Sequence, residues 1–200
     1  VMADDIYEKI HYDSEPFATP AAVVPALAER TLTINGVSKA YAMTGWRVGF
    51  GGGPISLIKA MNLIQSQSTS HTSSISQAAA VAALDGPMDF LPTFIDAFRR
   101  RRDLVVQALR AVPGLTCDLP EGAFYTFPSC HGLLGTRDQV GTLIETDTDL
   151  AMYLLRSAGV AIVPGSSFGL PGHFRVSYAA SDAELQEAMT RITRACKQLC

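Results

Sequence analysis

The chain has 200 residues, 48% of them hydrophobic and 18% charged, with a net charge of -3. That composition is globular rather than disordered, and the length suffices for one good core or two small ones. The negative balance argues against nucleic acid or an anionic membrane as the main partner, and no apolar run in the sequence reaches transmembrane length.

From its start, Val1-Met2-Ala3 reads as the end of a buried parallel strand that delivers Asp4 and Asp5. It arrives without a lead-in and does not resemble a signal peptide, so a natural N-terminus further upstream is expected. Residues 11–29 mix prolines with short polar stretches and predict an irregular connection. Thr31-Leu32-Thr33-Ile34 alternates and predicts a short strand, ended by the turn signal Asn35-Gly36. Residues 46–50 predict a further strand closed by Gly51-Gly52-Gly53, and Pro54 opens a helix to about Gln65. A polar loop or helix entry covers 66–74. An Ala-rich helix covers 76–84 and stops at Asp85-Gly86-Pro87.

Near residue 88 the texture changes. A long helix is expected over 89–110, interrupted near Pro92, then strands at 115–117 and 123–127, a helix at 148–157, and strands at 160–163 and 173–178. The last helix opens with the capping box Ser181-x-x-Glu184 and carries Leu185, Met189 and Ile192 at helical spacing. The first part reads as α/β with a parallel sheet and the second as a smaller α+β unit, giving domains 1–88 and 89–200. The run Arg99 to Arg102, with Asp96 and Asp103 beside it, reads as a solvated helix face. The four cysteines, Cys117, Cys130, Cys196 and Cys200, form no C-x-x-C pair and have no histidine cluster. No metal site is expected, and idle thiols in a reducing, cytoplasmic setting are.

The richest stretch is Gly36-Val37-Ser38-Lys39-Ala40-Tyr41-Ala42-Met43-Thr44-Gly45-Trp46-Arg47-Val48-Gly49. A lysine that acts as a nucleophile must be neutral, which calls for a shielded pocket near other cations. Small neighbours (Gly36, Ser38, Ala40) let backbone approach a flat ring. Ser38 offers a hydroxyl, and Arg47 can grip a phosphate bidentately. The plain alternative, a surface lysine after a strand, explains none of these companions. Upstream, Asp4-Asp5-Ile6-Tyr7-Glu8 sets two acids and a tyrosine at a strand end; both acids could simply terminate the strand. Downstream, Phe174-Arg175-Val176-Ser177-Tyr178-Ala179 places an arginine between apolar residues. Burying it is costly without an anion, supplied either by a carboxylate ligand or by a protein acid.

The lysine stretch resembles the attachment segment of class I aminotransferases of the aspartate aminotransferase type. The likeness continues in order through Pro120-Glu121-Gly122-Ala123-Phe124-Tyr125, Val163-Pro164-Gly165-Ser166-Ser167-Phe168-Gly169 and the Arg175 strand. It implies the α/β fold of the pyridoxal-phosphate-dependent transferases, with the C-terminal portion of the large domain followed by the small α+β domain. It further implies pyridoxal 5'-phosphate held by Lys39, with Asp4 on the pyridine nitrogen and Tyr7 on the phenolic oxygen. Ser38 and Arg47 would take the phosphate, and Arg175 the substrate α-carboxylate. Asp5 is the rival to Asp4, with a poorer spacing to Tyr7. The implied reaction moves an amino group from an L-amino acid, aspartate in the first place, to a 2-oxo acid such as 2-oxoglutarate, in a homodimer. Many members carry a serine where Gly36 stands, so one phosphate hydroxyl is absent here. His71 reads as a loop histidine, with a weaker case for a substrate contact. The family's glycine-rich phosphate loop, ring-stacking aromatic, phenolic-oxygen asparagine and N-terminal arm have no counterpart in this sequence. The chain therefore reads as a C-terminal part, inactive and aggregation-prone alone, with a more soluble unit beginning near Asp89. Two other readings use the same cofactor residues: another reaction such as β-elimination or cyclopropane-ring synthesis, and a cofactor-sensing domain of a transcription regulator.

Overall fold

The computed structural model describes residues 1–12 and 15–200. The chain divides into two compact units, Val1–Ile95 and Asp96–Cys200.

In the first unit β1 (Met2–Asp4), β2 (Leu32–Gly36) and β3 (Gly49–Gly52) form one sheet in that order. β1 runs parallel to β2, with Met2 opposite Leu32 and Asp4 opposite Ile34. β3 runs antiparallel to β2, which corrects the expectation of an all-parallel sheet. Residues 37–48 join β2 to β3 with no α-helix among them, whereas the crossover to a parallel neighbour is usually a helix. Nor do Asn35 and Gly36 form a turn: they continue β2 and pair with Phe50 and Gly49. The glycine serves close approach instead. A Cβ on Gly36 would lie 2.8 Å from the Val48 carbonyl oxygen and 3.2 Å from Gly49 Cα. Trp46 is not in a strand either, since Thr44–Trp46 is a 3-10 turn and Arg47 is left-handed. The glycine run supplies the end of β3 rather than closing it, with Gly51 and Gly52 paired to Ile34 and Thr33. A Cβ on Gly53, just beyond β3, would stand 3.0 Å from Thr31 O.

The connection expected to be irregular contains α1 (Pro20–Val23) and a 3-10 helix, Pro25–Arg30; positions 13 and 14 of it lie outside the described residues. α2 (Ile55–Ser68) follows Pro54 and extends past Gln65, and α3 (Ser74–Asp85) ends at Gly86. No residue of α2 is buried.

α4 (Leu91–Arg110) carries the chain into the second unit. Pro92 does not interrupt it, because in the first turn the missing N–H has no helical acceptor to serve. The unit's sheet is ordered β4 (Tyr125–Thr126), β6 (Phe174–Ser177), β5 (Val163–Pro164), with both pairings antiparallel. The strand expected at 115–117 reduces to a bridge between Thr116 and Ser129. α5 (Asp147–Ala158) and α6 (Asp182–Cys196) each begin with a complete capping box, Thr146 with Asp149 and Ser181 with Glu184. Their apolar faces meet α4 and β6 in a core that includes Phe98, Leu109, Leu150, Leu154, Phe174 and Ile192. α4 also corrects the reading of its arginine run as solvated. Arg102 falls on the stripe of Phe98, Val105 and Leu109 and is only 8% exposed, its Nη1 donating to Pro120 O at 3.1 Å. Arg101 donates to Asp182 at 2.6 Å and ties α4 to α6. Burial pushes the Cys130 thiol up to about 11 and Cys196 up to about 12, so both are protonated at neutral pH. No helix among the described residues is long and apolar enough to cross a membrane.

Residues 96–200 expressed alone are expected to unfold in one cooperative transition. Ile192→Ala should lower their stability by about 2–5 kcal/mol in chemical denaturation, the scale for emptying a core site. A broad, non-cooperative melt would contradict an independent core. In the whole chain, Gly36→Ala should cost about 1–3 kcal/mol, as overpacking against backbone does. Faster hydrogen exchange at β2 and β3 would report it, and unchanged protection would show that the strands can move apart freely.

Candidate active site

β1 and the loop from Gly36 to Gly49 build the first cluster. Asp4 ends β1, and its Oδ1 accepts from Ile6 N at 3.3 Å. Asp5 N donates to Ile34 O at 2.8 Å, which turns Asp5 inward to 8% exposure and leaves Asp4 exposed. A cavity of about 280 Å³ opens here, lined among others by Asp4, Asn35, Ser38, Arg47 and Gly49. Asp5 does not line it.

The loop is pinned at several points. Met43 N donates to Val37 O at 3.3 Å, Ala42 N to Lys39 O at 3.2 Å, and Val37 N to Val48 O at 3.4 Å. Two non-glycine residues in it are left-handed, Ala42 (φ 54°) and Arg47 (φ 55°). Each such residue costs on the order of 1–3 kcal/mol and persists only where its surroundings over-determine it, a hallmark of functional loops. Arg47 Nη1 donates to Thr44 O at 2.9 Å, which steadies the guanidinium at the cavity wall. Lys39, next in the chain after Ser38, is half-buried, and its Nζ lies 5.7 Å from the centre of the Tyr7 ring. That is within cation–π range. The residues brought together are thus Asp4, Ser38 and Arg47 around one cavity, and Lys39 against Tyr7. His71 is exposed and its Nδ1 is 2.8 Å from Thr72 O, within its own loop.

The second cluster belongs to the other unit. Arg175 lies on β6 opposite Val163. Its Cζ is 4.5 Å from the ring centre of Tyr125 on β4 and 4.5 Å from that of Phe168. Phe168 ends the 3-10 turn Gly165–Phe168 and meets Phe127 edge-on at 6.0 Å. The two aromatic faces answer part of the cost of burying the cation that the sequence exposes as a problem. The sequence reading did not single out Tyr125 and Phe168. Their signal lay in the aromatic residues of the Phe124-Tyr125 and Ser167-Phe168-Gly169 segments, which only a fold brings to one arginine. A larger cavity, about 920 Å³, runs along α4 and α6 past Leu104, Met189 and Thr193. It holds no cluster of acid, base and nucleophile, so chemistry favours the smaller cavity.

Residues 1–192 match the family described as aminotransferase class I and II. The chain is 60% identical over 199 residues to the aspartate aminotransferase of Rhizobium meliloti (strain 1021), covering 100% of this chain and 48% of that protein. It is 52% identical over 199 residues to the aspartate/prephenate aminotransferase of Cereibacter sphaeroides, covering 100% of this chain and 50% of that one. The crystal structure of the aspartate aminotransferase from Rhizobium meliloti matches with a TM-score of 0.96 at 60% identity, over 100% of this chain and 50% of that chain. That of Thermus thermophilus aspartate aminotransferase with maleate matches at 0.83 and 39% identity, over 97% of this chain and 47% of that one. The chain spans about half the length of the curated relatives it matches. A family match running through both units establishes that the chain belongs to the class I and II aminotransferases, a family that uses pyridoxal phosphate.

Proposed function

We propose that the polypeptide carrying this chain is a pyridoxal-phosphate-dependent aminotransferase. In this reading it moves the amino group of an L-amino acid, aspartate foremost, to a 2-oxo acid such as 2-oxoglutarate, as a cytoplasmic homodimer. The observation that carries the reading is the gathering of Asp4, Ser38 and Arg47 on one cavity, with Lys39 next in the chain and set against Tyr7. The relatives named aspartate and aspartate/prephenate aminotransferases support the choice of donor. The highly exposed apolar residues of α2 and α3, Ile55 at 74% and Ile75 at 75% among them, support an extensive interface, since soluble surfaces rarely leave such patches open.

The donor set suits the cofactor. A guanidinium and a hydroxyl match a phosphate, a carboxylate matches a protonated ring nitrogen, and an amine matches an aldehyde. When bound, pyridoxal phosphate supplies an electron sink for charge developing on the substrate's α-carbon. Arg47 and Ser38 anchor the phosphate. Asp4 keeps the proton on the ring nitrogen, and Tyr7 donates to the ring's phenolic oxygen. Lys39 would hold the cofactor through its amine and would serve as general acid and base for the proton at the substrate's α-carbon. Arg175 takes the α-carboxylate with its planar fork, which fixes the α-carbon's orientation.

Borohydride reduction of the natural full-length protein with pyridoxal phosphate should leave the label on Lys39. A label mapped to Lys9, Lys59 or Lys197 sinks the assignment. Arg175→Ala should weaken binding of both the amino acid and the oxo acid by about 2–5 kcal/mol, the scale of a truncated charge pair, with cofactor binding retained. Product analysis with aspartate should give oxaloacetate and an aminated acceptor. Elimination products instead would point to another reaction on the same cofactor. Running 2-oxoglutarate and prephenate side by side identifies the acceptor.

A further inference from the structure

Asp147 is 2% exposed, one of the few buried carboxylates among the described residues. It opens α5, yet the capping of that helix is done by Thr146 and Asp149. Its own carboxylate points elsewhere: Oδ2 accepts from Ser166 N at 2.7 Å. Ser166 lies in the 3-10 turn Gly165–Phe168, whose last residue lays its ring 4.5 Å from the Arg175 guanidinium carbon. Other backbone bonds of the turn are Gly165 N donating to His173 O at 2.7 Å, Leu170 N to Gly165 O at 3.1 Å and Gly169 N to Ser166 O at 3.1 Å, and the Phe168 ring also meets Phe127. A Cβ on Gly165 would approach within 2.8 Å of the His173 oxygen, so the start of the turn is held against the lead into β6. The Ser166 bond is the anchor that comes from α5. A buried charge with a backbone N–H partner makes a strong, directional bond in a low-dielectric setting.

We infer that Asp147 is a positioning residue for carboxylate recognition: by holding the Gly165–Phe168 turn it seats the Phe168 ring on Arg175 and fixes the plane of the guanidinium fork. The inference rests on the reading of Arg175 as the residue that grips the substrate carboxylate. It sets Asp147, a residue that touches neither substrate nor cofactor, in control of how well the fork is presented. A ring contact of this kind attracts the cation without using its N–H groups as hydrogen-bond donors to an acid, which leaves them for a ligand on this reading.

The test is steady-state kinetics on the natural full-length holoenzyme with both substrates, alongside equilibrium titration with succinate, a dicarboxylate that does not react. Asp147→Ala and Phe168→Leu should each raise KM and the succinate dissociation constant about three- to tenfold, the scale of a cation–π contact, with kcat at saturation within about twofold and cofactor absorbance intact. Asp147→Asn, which keeps a carbonyl acceptor for Ser166 N, should restore most of the loss. The double variant should be no worse than Phe168→Leu alone, because both changes act through one ring. Additive losses overturn the inference, and so does an unchanged KM in Phe168→Leu, which is read even if Asp147→Ala fails to fold. Arg175→Lys separates the two levels. If it leaves KM and succinate binding unchanged, the reading of Arg175 fails. If it weakens both while Phe168→Leu and Asp147→Asn behave like the parent and Asp147→Ala does too, only the role of Asp147 fails.

Discussion

The close approach of two backbones at Gly36 governs the first unit. There β2 meets β3 with the Val48 carbonyl oxygen only 2.8 Å from where a Cβ would be. The pairing of Gly36 with Gly49 closes the loop that carries Ser38, Lys39 and Arg47. β2 also pairs with β1, with Ile34 opposite Asp4. The acid, the lysine and the arginine are therefore all positioned from one central strand. Strain at Ala42 and Arg47 survives because both ends of the loop are fixed by that pairing.

The second unit poses a different problem, placing a half-buried cation on a strand and, on the proposed reading, keeping its fork open for a carboxylate. A protein carboxylate on Arg175 would occupy the same fork that a substrate carboxylate needs. Tyr125 and Phe168 instead approach within 4.5 Å and hold the cation by its π faces. Such contacts are worth about 0.5–2 kcal/mol, enough to orient the guanidinium but too little to outcompete a bidentate anion. The supporting frame is conventional core packing. Leu150, Leu154 and Ile192 are fully buried, and capping boxes start both α5 and α6. Arg102 uses its charge structurally, spanning from α4 to the carbonyl of Pro120 ahead of the strand that bears Tyr125.

Within α4 the same residue type takes three roles by position alone. Arg99 pairs with Asp96 one turn back, Arg101 reaches Asp182 on another helix, and Arg102 turns into the core. A run of identical charges in the sequence conceals that division, because the helix turns about 100° per residue and sends each side chain to a different surface.

The features legible from sequence were those that local chemistry decides. The capping box at Ser181 and the Leu185, Met189, Ile192 stripe mark α6 whatever packs against them. Pro54 and Gly86 mark helix limits for steric reasons that hold anywhere. The residues around Lys39 pointed to the family because the lysine, its small neighbours and an arginine eight residues on all fall within one short segment. What the tertiary structure alone decided is which segments meet. The antiparallel return of β3, Gly36 as a contact rather than a turn, the burial of Arg102, the aromatic seat of Arg175 and the reach of Asp147 to Ser166 all join residues whose proximity no local pattern encodes. A glycine or an aspartate has the same local preferences in a turn as against a distant backbone, so only the packed chain distinguishes the two.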